Sequence, residues 1–109
     1  MNIIIKKFGG TSVSSIDRIE RAISYVKEER NSGHFVVVVV SAMGKETDRL
    51  LKLTSGLDEY KKTDDISSLL SAGEQISSSL FSILLNKKNI KGKSFQGWQL
   101  PIHTELTPY

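Results

Sequence analysis

The stretch Phe35-Val36-Val37-Val38-Val39-Val40 limits what this chain can fold into more than any other. It is aromatic and β-branched throughout and shows no polar alternation. Such a run predicts a strand buried on both faces, as in the middle of a parallel sheet covered by helices. A second apolar stretch, Asn2-Ile3-Ile4-Ile5, opens a strand over residues 2–8. Between the two strands, Ile16, Ile19, Ile23 and Val26 recur at helical spacing, with Arg18, Glu20, Arg21, Lys27 and Glu28 on the other side. Ser14 or Ser15 is placed to cap that helix, Asp17 favours its first turn, and Asn31-Ser32-Gly33 ends it. Strand, helix, strand with a crossover helix is the βαβ unit of a parallel sheet.

In an open α/β sheet, ligands sit at the carboxyl ends of the strands. Two loops fall there. The first is Lys6-Lys7-Phe8-Gly9-Gly10-Thr11-Ser12-Val13, where paired glycines and two hydroxyls lie between a strand and a helix start. Glycines let backbone N–H groups approach an oxyanion, and Lys7 can bring a full cation to the same oxygens. The spacing is neither that of the Walker A loop nor the dinucleotide fingerprint, and a plain β-turn-α bend is the alternative reading. The second loop, Ser41-Ala42-Met43-Gly44, leads into a helix through Leu50, Leu51, Thr54 and Leu57. Together the two loops support a small anionic or phosphorylated ligand at the ends of two parallel strands.

Residues 56–65 are polar and read as a connection with a helical tail. Ile66, Leu69, Leu70, Ile76, Leu80, Ile83 and Leu84 predict a further helix ending near Asn89. Gly73 lies inside it and costs about 1 kcal/mol relative to alanine, so it marks a kink, a late start or a neighbour's close approach. Glu74 beside it is the only carboxylate between Asp65 and Glu105, and such an acid is ordinarily just solvated. Lys93-Ser94-Phe95 suggests a third strand, Gly97-Trp98-Gln99 a turn, and residues 100–105 no pattern.

Composition excludes several classes. The 109 residues contain no cysteine, so there is no disulfide framework, thiolate site or cysteine nucleophile. Net charge is +3, but the charges are mixed, and no aromatic-interleaved basic stripe points to nucleic acid. The lysines at 87, 88, 91 and 93 fit a solvated helix end. No apolar run spans a bilayer and no signal peptide opens the chain, so a cytoplasmic protein is expected. His34 and His103 lack metal-ligand spacing, Ser41 lacks the flanking glycines of a nucleophile elbow, and Met43 and Trp98 read as packing residues.

Four blocks resemble the aspartokinases, in order and across the whole chain. Lys7-Phe8-Gly9-Gly10-Thr11-Ser12-Val13 is similar to that family's N-terminal signature. Val38-Val39-Val40-Ser41-Ala42-Met43-Gly44, with Thr47-Asp48-Arg49-Leu50, resembles its second block. Ser71-Ala72-Gly73-Glu74-Gln75 resembles the S-x-G-E block, and Phe95-Gln96-Gly97-Trp98-Gln99 the G-x-Q turn. The Thr-Ser-Val continuation and the Ser-Ala-Met block favour this branch over acetylglutamate, glutamate-5 and uridylate kinases.

The resemblance implies an α/β fold, a three-layer α/β/α sandwich around a mainly parallel sheet, here incomplete. It implies transfer of the γ-phosphoryl group of Mg-ATP to the side-chain carboxylate of L-aspartate, giving 4-phospho-L-aspartate and ADP. That step opens lysine, threonine, methionine and diaminopimelate biosynthesis. It makes Lys7 the catalytic cation, and Lys7, Gly9, Gly10, Thr11 and Ser12 the phosphate-binding set. It implies that Ser41, Thr47 and Glu74 hold aspartate, Glu74 through the α-ammonium group, and it implies no residue as a metal ligand.

The match has an edge. The family continues into the adenine and ribose site, a substrate arginine and usually a pair of ACT regulatory domains. The resemblance therefore leads to the expectation that residues 1–109 correspond to the N-terminal portion of the catalytic domain, with no ACT domain. Where the family has A-G-I-x-T-D, this chain has Leu100-Pro101-Ile102-His103-Thr104-Glu105. The expectation is a cut or split form, inactive alone, with a companion chain carrying the missing half and a homo-oligomer as a further partner. A decayed remnant and a small phosphate- or amino-acid-binding module are the alternatives.

Overall fold

The computed structural model describes residues 2–60 and 63–103. Strand β1 (Ile3–Phe8) and strand β2 (Phe35–Val40) pair in parallel, in register from Ile3 opposite Phe35 to Phe8 opposite Val40. The Ser41 N–H donates to the Phe8 carbonyl at 3.1 Å and carries the pairing one step further. Helix α1 (Ile16–Asn31) connects them, completing the βαβ unit read from the sequence. Of the two candidate caps it is Ser15 that serves, its side chain accepting from the Arg18 N–H at 3.2 Å. A cap of this kind contributes about 1 kcal/mol.

Two further helices follow, α2 (Glu46–Lys52) and α3 (Thr63–Lys87). Short 3-10 turns occupy Gly10–Val13, Asp58–Tyr60 and Gly97–Gln99. The core lies between one sheet face and two helices. Ile19, Ala22, Ile23 and Val26 of α1 and Phe81, Leu84 and Leu85 of α3 pack over Phe8, Val36, Val38 and Val40. The Phe8 and Phe81 rings stack with centroids 5.9 Å apart, tying strand to helix. At the rim, Glu20 of α1 meets Lys87 at 3.5 Å and Lys88 at 3.6 Å, an exposed pairing worth at most about 1 kcal/mol.

The sheet and the layer on one of its faces match an incomplete α/β fold. The expectation that β2 is buried on both faces is not met. Phe35, Val37 and Val39 are 52, 41 and 46% exposed, and Ile3 and Ile5 of β1 open to the same side. The cause is topological: α1 and α3 both lie over the opposite face, and among the described residues nothing covers this one.

Three smaller expectations are also revised. Residues 93–95 form no strand, since the described sheet has two strands and offers this segment no pairing. It runs instead along α3, where Gln96 donates to the Ser78 hydroxyl at 3.1 Å. Helix α2 stops at Lys52 instead of reaching Leu57, because Thr54 and Ser55 turn their hydroxyls back onto the Leu51 and Lys52 carbonyls. Helix α3 begins earlier than Ile66 and runs without interruption past Gly73. Its end is marked by Asn89 at φ 59°. The Gly97–Gln99 turn is present, closed by reciprocal bonds between Gln96 and Gln99. Lys61, Lys62, Thr104 and Glu105 lie outside the described residues. Among those described, no helix is long and apolar enough to cross a membrane.

Candidate functional site

Every candidate residue falls at one end of the sheet. Lys7 is the last but one residue of β1 and is exposed on the uncovered face, beside Val39 in register. The chain then turns through Gly9 into Gly10–Val13, where Ser12 N–H donates to the Gly9 carbonyl at 3.0 Å. The opening N–H groups of such a turn have no acceptor within it and are left to an outside oxygen. Thr11 and Ser12 are exposed, and the Thr11 carbonyl accepts from the Ser14 hydroxyl at 2.9 Å. Val13 points inward and is fully buried, anchoring the turn in the core.

The second loop lies directly against the first. The Gly44 N–H donates to the Gly10 carbonyl at 2.9 Å. A Cβ on Gly10 would lie 2.9 Å from the Ala42 carbonyl oxygen, so only glycine lets the two strand ends come this close. Ser41 is half-buried where β2 ends, and Thr47 is half-buried in the first turn of α2.

Helix α3 closes the third side. A Cβ on Gly73 would sit 2.8 Å from the Ala42 Cβ, which resolves the three readings of that glycine in favour of close approach. One turn on, the fully buried Ser77 hydroxyl lies 2.6 Å from the Ser41 carbonyl oxygen. Glu74, between these contacts, is exposed, and among the described residues its carboxylate has no ion-pair partner. The loop after β2 thus touches both the loop after β1 and one turn of α3, and Lys7, Gly9, Gly10, Ser41, Thr47 and Glu74 are brought to one end of the molecule.

Three features of this end go beyond the sequence expectations. Ser77 lies four residues after Gly73 on the helix's apolar stripe, where a hydroxyl needs a partner, and that position is its signal in the sequence. Glu46 and Arg49 form a two-pronged pair at the start of α2, at 2.6 and 3.0 Å, and the guanidinium holds the Glu46 carboxyl below the usual carboxylate range. Their spacing of three in Glu-Thr-Asp-Arg was the available signal. A groove of about 160 Å³ beside Ser12, lined by Phe8, Arg18, Arg21, Ala22 and Tyr25, depends on α1 meeting the end of β1 and had no sequence signal.

The chain is similar to known proteins over most of its length. A sequence profile of the amino acid kinase family matches residues 2–107. Aspartokinase 2 of Bacillus subtilis (strain 168) is 44% identical over 105 residues, and an aspartokinase of Geobacillus stearothermophilus is 48% identical over 105 residues. Each alignment covers 96% of this chain and 26% of the relative, so the chain spans about a quarter of the length of these curated relatives. Among solved structures, an aspartate kinase from Synechocystis superposes with a TM-score of 0.76 at 40% identity, covering 80% of this chain and 15% of that one.

Proposed function

Since this chain belongs to the amino acid kinase family, we propose that it is the N-terminal portion of an aspartokinase catalytic domain, carrying the aspartate-binding loops and part of the phosphate site. One observation carries the reading. Three of the four blocks that resemble aspartokinases meet at the strand ends, where Gly10 packs against the Ala42 carbonyl and Gly73 against the Ala42 side chain.

The chemistry needs no covalent enzyme intermediate. A side-chain carboxylate oxygen of L-aspartate attacks the γ-phosphorus of Mg-ATP, the bond to the bridging oxygen breaks, and ADP leaves with that electron pair. The magnesium ion comes with the nucleotide as part of the substrate. Lys7 neutralises charge on the transferred group, and N–H groups of Gly9 and Gly10, with Thr11 and Ser12, complete the oxyanion contacts. The Ser41 and Thr47 hydroxyls orient aspartate, and Glu74 pairs with its α-ammonium group. Catalysis is then positioning plus charge stabilisation. In this reading the product feeds lysine, threonine, methionine and diaminopimelate synthesis in the cytoplasm.

The uncovered sheet face belongs to the same reading. It is the surface that the remaining three quarters of an aspartokinase would cover, in one polypeptide or as a companion chain, before any homo-oligomer forms. The test is hydroxamate trapping of aspartyl phosphate. The expected result is no product from residues 1–109 alone, and product when they are joined to the remainder of the Bacillus subtilis relative. An inactive joined protein that is folded would overturn the proposal, as would activity of the isolated chain that survives Lys7→Ala.

A further inference from the structure

Resting on the aspartokinase reading, we propose that Ser77 is a positioning residue, which sets the loop from Ser41 to Thr47 against the turn of α3 that carries Glu74.

Among the described residues Ser77 is the only polar side chain in the buried class, at 0% exposure. Its neighbours in kind behave differently. Ser71 and Ser78 on the same helix, and Ser24 on α1, turn their hydroxyls onto carbonyls three residues back in their own helix. That local bond is also open to Ser77, whose Oγ lies 3.1 Å from the Glu74 carbonyl oxygen. One proton cannot serve two carbonyls equally, and the shorter distance is the 2.6 Å to Ser41, 36 positions away. The hydroxyl therefore spans two elements. Its burial carries a desolvation cost that this hydrogen bond offsets.

The bond ends on the backbone of Ser41, whose hydroxyl is assigned to aspartate. It starts three residues after Glu74, which is assigned to the same substrate's ammonium group. Ser77 thus fixes the separation of the two polar ends of the amino-acid site without touching the ligand. Gly73 supplies the complementary half, since the absence of its Cβ is what brings α3 into contact with Ala42. A hydroxyl that holds and a glycine that admits, four residues apart, lie on one face of the helix.

The experiment compares wild type, Ser77→Ala, Ser77→Cys and the core control Leu84→Val in the protein joined to the remainder of the Bacillus subtilis relative. Ser77→Ala is expected to raise the aspartate KM by about tenfold, with ATP KM and kcat within about threefold, the weight of one buried hydrogen bond. Ser77→Cys, a weaker donor of similar size, is expected to fall between. Leu84→Val is expected to lower the urea midpoint and leave the aspartate KM alone. An unchanged aspartate KM, or equal losses in both substrates, overturns the proposal.

A second measurement, on the 109-residue chain alone, does not depend on the kinase reading. Ser77→Ala is expected to speed amide exchange at Gly44 and Glu46 by about tenfold relative to the buried residues of α1. Uniform acceleration, or none, overturns the positioning role even if the joined protein is inactive, whereas inactivity of the joined wild type overturns only the kinase assignment.

Discussion

The two faces of the β1–β2 pair carry similar side chains and meet opposite surroundings. On one face Phe8, Val36, Val38 and Val40 lie under α1 and α3, with Phe8 stacked on Phe81. On the other, Ile3, Ile5, Phe35, Val37 and Val39 are all more than 40% exposed, and Lys7 stands at their end. A contiguous apolar sheet face is not what a strand leaves in water when it has finished packing. Burial on the helical face rests on contacts within this chain. Burial on the other has to come from elsewhere, and the candidate catalytic lysine sits on that side. The chain's own contacts account for the burial of one face only, and the candidate lysine lies on the other.

The largest effect expected from this division is on chemistry. In the joined protein, Lys7→Ala is expected to lower kcat by about a hundredfold or more, the scale of losing a group that stabilises the transition state. The aspartate KM should move only a few-fold, and steady-state kinetics in both substrates reads the two apart. Equal kcat in mutant and wild type would remove Lys7 from its role.

Stability comes next. Phe81→Ala is expected to destabilise the chain by about 3–5 kcal/mol in urea unfolding, as truncation of a buried aromatic ring does. Val37→Ser on the uncovered face should cost within about 0.5 kcal/mol in the isolated chain. In the joined protein Val37→Ser is expected to become markedly more costly. Equal costs for Val37→Ser in the two settings would break the comparison.

A smaller loss is expected at the seam. Gly73→Ala brings a methyl group against the Ala42 Cβ, so overpacking of about 1–3 kcal/mol opposes a helix-propensity gain of about 1 kcal/mol. Net destabilisation measured by urea unfolding, with faster amide exchange around Ala42, is the expected outcome.

The smallest effect is electrostatic. Arg49 lowers the Glu46 carboxyl from its ordinary value of 4.5. A depressed folded-state pKa contributes stability that is present above the ordinary value and lost as pH falls through the lowered one. Arg49→Ala should therefore move the Glu46 titration upward by NMR and flatten the pH dependence of the urea midpoint below about 4.5. An unmoved titration would show that the pair does not form in solution.

Much of this was legible in the residues. The valine run, the helical spacing of Ile19, Ile23 and Val26, and the Gly9-Gly10 turn were enough for a βαβ unit with loops at its carboxyl end. What they could not disclose was set by distant packing. An unalternating run such as Phe35–Val40 records that both faces are suited to burial, not which segment buries them. Lys93-Ser94-Phe95 has strand-like residues, but a strand needs a neighbour to pair with, and here the segment leads instead to Gln96, whose side chain donates to the Ser78 hydroxyl. Gly73 could be read only as one of three possibilities, because its reason is a methyl group 31 positions earlier, on Ala42. Ser77 was hidden among ordinary helix serines until its burial and its bond to Ser41 set it apart. Local chemistry was readable, and the contacts between elements were not.

If the uncovered face is the mating surface for the rest of an aspartokinase domain, the chain should bind that remainder through it. The direct measurement mixes the 109-residue chain with the separately produced remaining three quarters of the Bacillus subtilis relative, and follows association by sedimentation velocity. A one-to-one complex is expected for the wild-type chain and for Ser24→Ala on the exposed side of α1, and none for Val39→Glu, whose carboxylate would be buried in the interface. A complex that forms equally well with Val39→Glu, or no association of the folded wild-type chain, would contradict it.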